Sequence, residues 1–452
     1  MGRSEEAVKI YMPELLYDAA CGEIPFRRGG AVAVKGDRIL ESGDADALLR
    51  KYPDALRERL DRQVLVPGTV NTHNHDFQSL LRGIAADRPF LEWRDRSLYH
   101  YSRKMDLEGI YTGSLFAFAE MMKRGVTTVG DFFYLHNFGL DSDYAVIQAA
   151  KDLGLRLALV RTMYDWDGAP AGYVETVKDA DANTRKLIGE YADDPMVTVL
   201  PAPHSLHAAS DEMVLAGHEI AKDYGLHMHI HVSEEMFEVK QVQEAHGGLS
   251  PLEYLDQLGV VDEHLVIIHG VWLKPSEIET LGKAGSGLVY CPSSNMFLAD
   301  GITDIPAMMK AGVKIALGSD GACGNNRISV FEEMRMCSLL QKAKTCDASC
   351  VNFHQTFGMG TANGADLLGI PAGRLVAGGL ADFVGIDLDD LSMMPVSENL
   401  EQVLPNVVYS LEPTAIKTVI VGGRTTVEDG KLTMIDEETV REKVRATMAR
   451  LG

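Results

Sequence analysis

The sequence predicts an α/β fold, a distorted (β/α)8 TIM barrel with a small β-sandwich built from both termini. Short segments rich in β-branched residues lie at both ends of the chain, and eight short apolar runs alternate with helical patterns between them. Six of these eight runs end on a His or an Asp. We therefore expect residues 1–66 and 373–452 to form the sandwich, with a terminal helix, and residues 67–372 to form the barrel.

The terminal segments predict the sandwich. Each carries β-branched residues bounded by Gly or Asp turn signals. Two lie early in the chain and two lie late, at residues 8–11, 31–40, 381–387 and 416–423. Because the middle of the chain lacks this character, we expect the early and late segments to pair as one small sheet module.

The apolar runs of the middle predict the barrel strands. They end at His73, Asp131, Arg161, His204, His231, His269, Cys291 and Asp320. Eight parallel strands with intervening helices close into a barrel whose chemistry lies at the carboxyl ends of the strands. Since a polar side chain at such a position must be solvated, paired or ligated, the repeated His and Asp indicate one shared site.

The composition is that of a folded, acidic protein. Of its 452 residues, 46% are hydrophobic and 24% charged, and Asp and Glu outnumber Lys and Arg by 65 to 43, for a net charge of -22. This charge repels a phosphate backbone, so we expect no nucleic-acid partner. We find no apolar signal region and no apolar stretch of about 18 residues, and we expect no membrane partner and a cytoplasmic location. The six cysteines include no CxxC pair, which argues against a disulfide framework or a zinc ribbon.

Two strand ends carry histidines suited to one metal ion. His73 and His75 have the same strand parity, so both imidazoles point into the barrel mouth. His227, His229 and His231 also share one parity, and only His231, the highest of the three, is expected to reach the ion. We interpret the two lower ones as hydrogen-bonded core histidines.

Two further strand ends complete the predicted metal centre. Asp320 ends the eighth strand, where one carboxylate oxygen can bind the ion and the other can accept a proton from its water. His269 ends the sixth strand, where its imidazole can hold or deprotonate that water. Together, His73, His75, His231 and Asp320 make a four-ligand set. Its nitrogen and oxygen donors suit zinc, or iron as the alternative, better than magnesium or calcium. The fourth strand ends without a lysine that could bridge two metals as a carbamate, so one divalent transition metal per subunit is the simpler interpretation.

An acidic residue follows the fifth strand in the loop. Glu234 lies three residues after His231, where its carboxyl group could reach a substrate bound to the metal. Glu235 is the alternative, and we favour Glu234.

At this point the chain resembles the amidohydrolase superfamily, and specifically its cytosine/adenosine-type deaminase branch, over nearly its whole length. The motifs that carry the resemblance are PGTVNTHNH at 67–75, APHS at 202–205, HIHVSE at 229–234, IHG at 268–270, CPSSN at 291–295 and LGSDGA at 317–322. Two late segments resemble the composite β-sandwich found at the ends of such chains, ADFV at 381–384 and VIVGGR at 419–424.

The resemblance implies a hydrolytic deamination. A metal-bound water is deprotonated with help from Asp320 and His269 and attacks an electron-poor carbon. Glu234 protonates a ring or imine nitrogen, and ammonia leaves. Relatives of this kind are commonly dimers or larger, so a homo-oligomer is expected.

The motifs are shared between several branches of the superfamily. Residues similar to methylthioadenosine/S-adenosylhomocysteine deaminases and chlorotriazine hydrolases lie at 71–75, 79–83 and 92–93. Residues similar to formimidoylglutamate deiminase lie at 77–78, 133–136 and 202–206. That deiminase carries an arginine after the last of these motifs, where this chain has His207.

The predicted pocket lies around the metal centre. Its candidate substrate-binding residues are Gln78, Trp93, Tyr134, Arg161, His204 and His207. Arg161 would bind a substrate anion or, alternatively, pair with Asp131, which lies where nucleoside deaminases place a polar group near a ribose. Trp93 would contact the ligand or only pack against its neighbours.

The expected function is that of a metal-dependent aminohydrolase acting on a small amidine-bearing N-heterocycle such as a purine, pterin or triazine. The alternative is the same site hydrolysing an amide, urea or (thio)carbamate C–N bond, or a chloro-heterocycle. A third hypothesis, from a different class, is a catalytically inactive barrel that serves as a scaffold. The presence of all the proposed ligands and acid/base groups argues against it.

Overall fold

The computed structural model describes residues 7–452. The first residues of the chain, on which the expectation of no signal region rests, lie outside the described residues. Within the described range, no helix is both long enough and apolar enough to cross a membrane.

The strands fall into an early, a middle and a late group. The early strands are β1 (Lys9–Tyr17), β2 (Phe26–Arg28), β3 (Gly30–Lys35), β4 (Arg38–Asp44) and β5 (Leu56–Pro67). The middle strands are β6 (Thr69–Asn74), β7 (Val126–Phe133), β8 (Arg156–Met163), β9 (Val197–Pro203), β10 (Met228–Val232), β11 (Leu265–His269), β12 (Gly287–Tyr290) and β13 (Lys314–Leu317). The late strands are β14 (Phe383–Asp387), β15 (Ile416–Val421), β16 (Arg424–Glu428) and β17 (Lys431–Leu432).

Helices separate the middle strands and end the chain. The α-helices are α1 (Ala45–Lys51), α2 (Phe90–Arg96), α3 (Leu98–Ser102), α4 (Leu107–Lys123), α5 (Leu140–Leu153), α6 (Val177–Glu190), α7 (Asp211–Tyr224), α8 (Met236–Ala245), α9 (Pro251–Gln257), α10 (Pro275–Ala284), α11 (Pro292–Phe297), α12 (Ile305–Ala311), α13 (Ala322–Asn325), α14 (Val330–Thr345), α15 (Phe353–Met359), α16 (Ala362–Leu367), α17 (Val403–Tyr409) and α18 (Glu437–Leu451). Short 3-10 helices lie at Ala19–Cys21, Asp76–Leu81, Ala171–Tyr173, Leu391–Met393 and Pro413–Ala415.

Strands from both termini form one nine-stranded sheet. In it, β5 pairs in parallel with β1 and antiparallel with β14, so the two ends of the chain are hydrogen-bonded to each other. Although β14 and β5 lie between them in the sheet, β1 and the end of β15 are in contact, since the Tyr11 hydroxyl donates to the Gly423 carbonyl over 3.1 Å. The Tyr11 ring also meets Phe383 edge-on, with ring centroids 5.0 Å apart. The predicted pairing of early and late segments is confirmed.

The eight middle strands form two parallel four-stranded sheets, one from β6 to β9 and one from β10 to β13. Hydrogen bonds join them at both edges. The His231 N–H donates to the His204 carbonyl over 3.0 Å, and the Asp320 N–H donates to the His73 carbonyl over 3.0 Å. All eight predicted strands are present, and the predicted fold class is confirmed. The domain boundaries after residues 66 and 372 stay predictions.

Local sequence signals define the helical layer around the strands. The Asp106 carboxylate caps α4 by accepting the Gly109 N–H over 2.7 Å, and Ser250 and Glu253 form a reciprocal capping box at the start of α9. Strands β7 and β8 are buried along their whole length. This follows from the architecture, since the barrel interior covers one face of each strand and helices cover the other.

A buried ion pair ties the barrel to the terminal sheet. Arg156, the first residue of β8, donates through Nε and Nη2 to the Asp382 carboxylate over 2.8 and 3.0 Å. The same carboxylate, just before β14, accepts the Gly422 N–H over 2.7 Å. Such a two-pronged contact fixes orientation, so the pair sets the position of the terminal sheet against the barrel.

Candidate active site and metal centre

Five side chains converge at the carboxyl ends of the barrel strands. The Nε2 atoms of His73 and His231 lie 3.2 Å apart, and His75 Nε2 lies 3.3 Å from Asp320 Oδ1. Two overlapping groups have all their donor atoms within 4.8 Å of one another, one made of His73, His75 and His231, the other of His73, His269 and Asp320. The structure therefore brings the predicted ligands together as the strand order indicated.

Backbone carbonyls orient two of the histidines. His75 Nδ1 lies 2.6 Å from the Phe132 carbonyl oxygen, and His231 Nδ1 lies 2.9 Å from the His204 carbonyl oxygen. A carbonyl oxygen only accepts, so Nδ1 carries the proton in both rings. The Nε2 lone pairs are therefore free and face the centre, which is the arrangement that metal-binding histidines adopt.

The ionisation of the histidines also suits a metal. Burial lowers the pKa of His75 to about 4 and the pKa of His269 to about 3, and it holds the pKa of His231 well below its usual value. These rings are neutral at neutral pH, and the neutral imidazole is the form that binds a metal. Three imidazoles and one carboxylate make a donor set that fits a borderline divalent ion.

Asp320 is held as a carboxylate. Burial alone would raise its pKa, but the hydrogen bond with His73 and the proximity of His75 and His269 outweigh burial and lower the pKa of Asp320. The Ser294 hydroxyl donates to Oδ2 over 2.6 Å, and the Gly321 N–H donates to Oδ1 over 2.7 Å. Both oxygens are thus fixed in position at the centre of the site.

The approach of Asp320 to the first strand depends on a glycine. At Gly318 a Cβ atom would lie 2.7 Å from the His73 Cβ and 2.9 Å from the His73 backbone nitrogen and oxygen. Only glycine permits this contact. Asp320 itself has a φ of 58° and His269 a φ of 70°, a left-handed conformation that is costly for such residues and is found at functional sites.

Glu234 and His269 form a pair beside the candidate metal-binding atoms. Glu234 Oε1 lies 3.4 Å from His269 Nε2, and only 13% of the Glu234 side chain is exposed. On the other side of the ring, Asn295 Nδ2 lies 3.1 Å from His269 Nδ1 and 2.9 Å from Asp300 Oδ2. With the Asn295 amide nitrogen donating to both atoms, His269 Nδ1 accepts, and the proton of the neutral His269 ring lies on Nε2.

The surroundings of Glu234 favour its protonated form. Burial, followed by the nearby carboxyl groups of Asp300, Asp320 and Glu238, raises the pKa of Glu234 well above its usual value. Glu235, the alternative, stands at the start of α8, where its side chain is hydrogen-bonded with Asp300. The structure therefore brings Glu234, and not Glu235, to His269.

Polar and aromatic side chains surround the centre. Gln78 Nε2 donates to the Tyr134 hydroxyl over 3.0 Å, and the Tyr134 ring lies 5.0 Å from the His75 ring. The His204 ring stacks on His231 with centroids 4.8 Å apart, and the His207 ring lies 5.8 Å from His204. These four predicted pocket residues are grouped around the histidine cluster.

Trp93 lies in α2, one of the helices that follow the first barrel strand. Its Nε1 donates to the Cys323 carbonyl over 3.2 Å, and its ring packs at 5.6 Å from Phe90. The ring of Phe90 in turn meets Phe237, which belongs to the helix after the fifth barrel strand, at 5.6 Å. Trp93 is thus anchored to α13, the short helix that follows Asp320.

The structure corrects the expectation for Arg161. Its guanidinium binds Glu175 through two hydrogen bonds of 2.9 Å and Asp143 through one of 3.3 Å, and it is fully buried. Asp143 belongs to α5, so the side chain faces the helices and not the barrel mouth. The predicted pairing with Asp131 is wrong, because Asp131 instead accepts from Asn74 over 2.9 Å.

Three polar residues that contact the candidate site were not predicted from the sequence. They are Ser294, Asn295 and Asp300, which orient Asp320, bind His269 and flank Glu234. The motif CPSSN at 291–295 was the available signal. Its spacing places Ser294 and Asn295 just after the seventh strand, but spacing alone does not indicate their partners.

The sequence matches two family descriptions. Residues 64–426 match the amidohydrolase family, and residues 30–55 match an imidazolonepropionase-like composite domain from bacteria. The first match includes every predicted metal ligand and Glu234.

Similar curated proteins are deaminases. A 5'-deoxyadenosine deaminase of Methanothermobacter thermautotrophicus is 34% identical over 456 residues, covering 99% of each chain. A 5-methylthioadenosine/S-adenosylhomocysteine deaminase of Syntrophobacter fumaroxidans is 31% identical over 418 residues, covering 92% of each chain.

Similar solved structures include zinc-bound hydrolases. An adenosine deaminase from Xanthomonas campestris with bound zinc has a TM-score of 0.89 and 26% identity, covering 99% of each chain. An atrazine chlorohydrolase from Arthrobacter aurescens complexed with zinc has a TM-score of 0.88 and 20% identity, covering 98% of this chain and 100% of the other. At that identity the second likeness supports the fold alone.

Proposed function

This chain belongs to the amidohydrolase family, and we propose that it is a metal-dependent deaminase of a 5'-modified adenosine, releasing ammonia. The observation that carries the proposal is the buried pair of Glu234 and His269, 3.4 Å apart beside the metal-binding atoms. An adenine offers a ring nitrogen to protonate and an exocyclic amine to release. The names of the two deaminase relatives support an adenosine whose 5' position carries a hydrogen or a thioether.

We propose zinc as the metal, with iron as the alternative. His73, His75, His231 and Asp320 would hold one ion per subunit, and their nitrogen and oxygen donors support this choice. The zinc in the similar adenosine deaminase supports it as well. When bound, the metal supplies Lewis acidity and lowers the pKa of a water at the site toward neutrality.

Asp320 is the proposed acceptor of the proton from the attacking water. It is ionised and both of its oxygens are fixed by hydrogen bonds. His269 donates through Nε2 in the tautomer that Asn295 sets. His269 would therefore hold the attacking water by donating a hydrogen bond to its oxygen. The proton that the water loses would pass to Asp320.

Glu234 is the proposed acid. Its raised pKa keeps a proton on the carboxyl group at neutral pH, and that proton passes to ring nitrogen N1 of the adenine while the water oxygen bonds to C6. The proton taken by Asp320 then goes to the amino group, the C6–N bond breaks and ammonia leaves, and the proton of the new C6 hydroxyl returns to Glu234 as the C6 carbonyl forms. The water supplies the oxygen of the product, so atoms and charges balance.

The walls of the site suit a flat heterocycle. Tyr134, His204, His207 and Trp93 offer ring faces and edges for packing, and Gln78 offers an amide. We propose these five residues as the substrate-binding set. Arg161 is not among them, because its donors are taken by Glu175 and Asp143.

A substrate panel tests the proposal. The metal-loaded protein is assayed for ammonium release from 5'-deoxyadenosine, 5'-methylthioadenosine, S-adenosylhomocysteine and adenosine, beside a urea, a carbamate, a thiocarbamate, an amide and a chlorotriazine. The proposal requires the fastest ammonium release to come from one of the adenosines. Hydrolysis confined to the other compounds would replace it with the alternative activity.

We further propose that the protein acts in the cytoplasm as a homo-oligomer, a dimer or larger. The enzymes that this chain resembles are commonly dimers or larger, which supports the proposed assembly. Light scattering at several concentrations would test the assembly.

A further inference from the structure

A serine joins two histidines beside the metal centre. The Ser205 hydroxyl oxygen lies 3.0 Å from His204 Nδ1 and 3.1 Å from His207 Nδ1. Ser205 is fully buried, whereas both histidines are only part-buried. The Nε2 atoms of the two rings have no hydrogen-bond partner among the described residues. Each ring is thus held through one nitrogen, and its other nitrogen remains for a ligand.

Both rings are neutral at neutral pH. Burial lowers the pKa of His207 to about 4, and the positive charge of Arg94 acts in the same direction. Burial also holds the pKa of His204 well below its usual value. A divalent cation at the metal centre would disfavour a positive charge on His204 still further. Each ring therefore carries one proton, on Nδ1 or on Nε2.

The single hydroxyl proton of Ser205 makes the two tautomers opposite. If both Nδ1 atoms carried a proton, the buried O–H would have no acceptor among the described residues. If neither carried one, the O–H could serve only one ring, and a lone pair of the other would face the oxygen. All three groups are satisfied when the oxygen accepts from one ring and donates to the other. One ring then presents Nε2–H, and the other presents an unprotonated Nε2.

The two rings lie at different distances from the metal centre. His204 stacks on the proposed ligand His231, with ring centroids 4.8 Å apart. His207 is one ring further out, 5.8 Å from His204 and 6.1 Å from Phe237 in α8. The proposed reaction brings the adenine base to the metal centre at the carboxyl ends of the strands, so the attached sugar lies on the outer side. The base is therefore nearer His204 and the ribose nearer His207.

We propose that His207 recognises the sugar of the substrate, with its Nε2 accepting a hydrogen bond from the 2' or 3' hydroxyl of the nucleoside, and that Ser205 sets its tautomer for this role. The inference rests on the proposed function and narrows its substrate class to nucleosides with a sugar hydroxyl at one of these positions. The adenine nitrogens N3 and N7 are acceptors, so they select the tautomer in which His204 presents Nε2–H. Through Ser205 the same choice leaves His207 Nε2 unprotonated, ready for a donor.

Nitrogen NMR of the zinc-loaded protein tests the linkage without any turnover. With histidine isotopically labelled in the ring, the chemical shifts separate protonated from unprotonated nitrogens. The signals of the two rings are assigned by their loss in His204→Ala and in His207→Phe. The fractions of the two rings that are protonated at Nε2 should add to about one, because one hydroxyl proton serves both. In Ser205→Ala this relation should be lost.

Kinetics test the sugar contact. The parent is assayed with 5'-deoxyadenosine, 2',5'-dideoxyadenosine and 3',5'-dideoxyadenosine, and one of the two dideoxy compounds should have a kcat/KM about threefold to tenfold lower. The difference should lie in KM, because the hydroxyl is remote from the reacting carbon. His207→Phe should reduce this preference to within about twofold, and Ser205→Ala should reduce it as well. A purely structural role of His207 would instead slow all three substrates alike.

A matched control is His218→Asn, because His218 lies on α7 and binds Asp262 over 2.9 Å, outside the candidate site. It should keep the preference of the parent. Ser205→Ala removes only a hydroxyl, so the test holds even if His207→Phe fails to fold.

The inference is overturned if both rings carry their proton on the same nitrogen, if the parent prefers neither hydroxyl, or if Ser205→Ala and His207→Phe keep the full preference. Failure of the proposed function has a different signature. No ammonium release from any adenosine would overturn that function and the sugar contact with it, whereas the tautomer populations would still test the linkage through Ser205.

Discussion

Asn295 fixes the proton of His269. The amide nitrogen of Asn295 donates to His269 Nδ1 over 3.1 Å and to Asp300 Oδ2 over 2.9 Å. His269 therefore presents an N–H, and not a lone pair, on the side of Glu234. In the proposed mechanism we therefore assign the proton of the attacking water to Asp320, because His269 Nε2 has no lone pair to accept it.

Replacing Asn295 should lower turnover while the metal stays bound. In Asn295→Leu the His269 ring loses the hydrogen bond that keeps the proton off Nδ1. We expect kcat to fall about tenfold to a hundredfold, the usual effect of removing the hydrogen-bond partner of such a histidine. Zinc content, measured by elemental analysis, should match the parent. The pH profile of kcat should also change, since His269 could then take up either tautomer. An unchanged kcat and pH profile would show that Asn295 only packs.

Glu234→Gln should keep the metal and lose the acid. The amide cannot donate the proton that the ring nitrogen requires, so we expect kcat to fall about a hundredfold to ten-thousandfold. Glu235→Gln is the matched control, because Glu235 lies next in the chain at the start of α8 but, among the described residues, it is Glu234 and not Glu235 that pairs with His269. It should retain turnover within about threefold. The reverse result would assign the acid to Glu235.

His231→Ala should lose the metal itself. Removing one of four ligands weakens binding, and we expect zinc content after dialysis to fall from about one per chain to well under half. His204→Ala is the control, because the His204 side chain stacks on His231 while only its backbone carbonyl orients that ring. It should keep its zinc. Equal metal loss in both variants would mean that stacking, and not ligation, explains the effect.

A buried carboxyl group outside the ligand set predicts a pH dependence of stability. Burial raises the pKa of Glu333 to about 8, although Ser293 donates to it. The folded state thus holds a proton that the unfolded state releases near pH 4.5, so this group lowers stability as pH rises from about 4.5 to about 8. Glu333→Gln removes the carboxyl group, and with it this fall in the free energy of unfolding between about pH 4.5 and pH 8.

Urea unfolding at pH 5 and pH 9 measures this difference. The variant should gain stability relative to the parent at the higher pH, by up to a few kcal/mol, and little at pH 5. The free energy of unfolding of the variant is compared with that of the parent at each pH, so the contributions of the other titrating groups cancel. Parallel pH dependences would contradict the raised pKa.

The strand ends made the fold and the ligand set predictable. His73, His231 and Asp320 each close an apolar run, and parallel strands bring such ends together whatever the sequence between them. Burial of both strand faces also gives runs that are easily recognised in a sequence. The positions of these strand ends in the sequence were therefore enough to predict which side chains meet at the metal centre.

Contacts between side chains of different loops were less predictable. Arg161 also lies near a strand end, but strand side chains alternate between faces, and Arg161 lies on the face toward α5. Asn295 was visible only as part of a motif, since its contact with His269 spans 26 residues. The partner of such a residue depends on packing, which spacing in the sequence does not specify.

The most direct test of the account is the metal dependence of ammonium release from 5'-deoxyadenosine. The protein is stripped with a chelator, assayed, reloaded with zinc and assayed again, and ammonium is compared with the loss of the adenine absorbance. The account predicts negligible release without metal, recovery with zinc, and one ammonium per adenine consumed. Release that persists in the stripped protein, or no release from any adenosine after reloading, would contradict it.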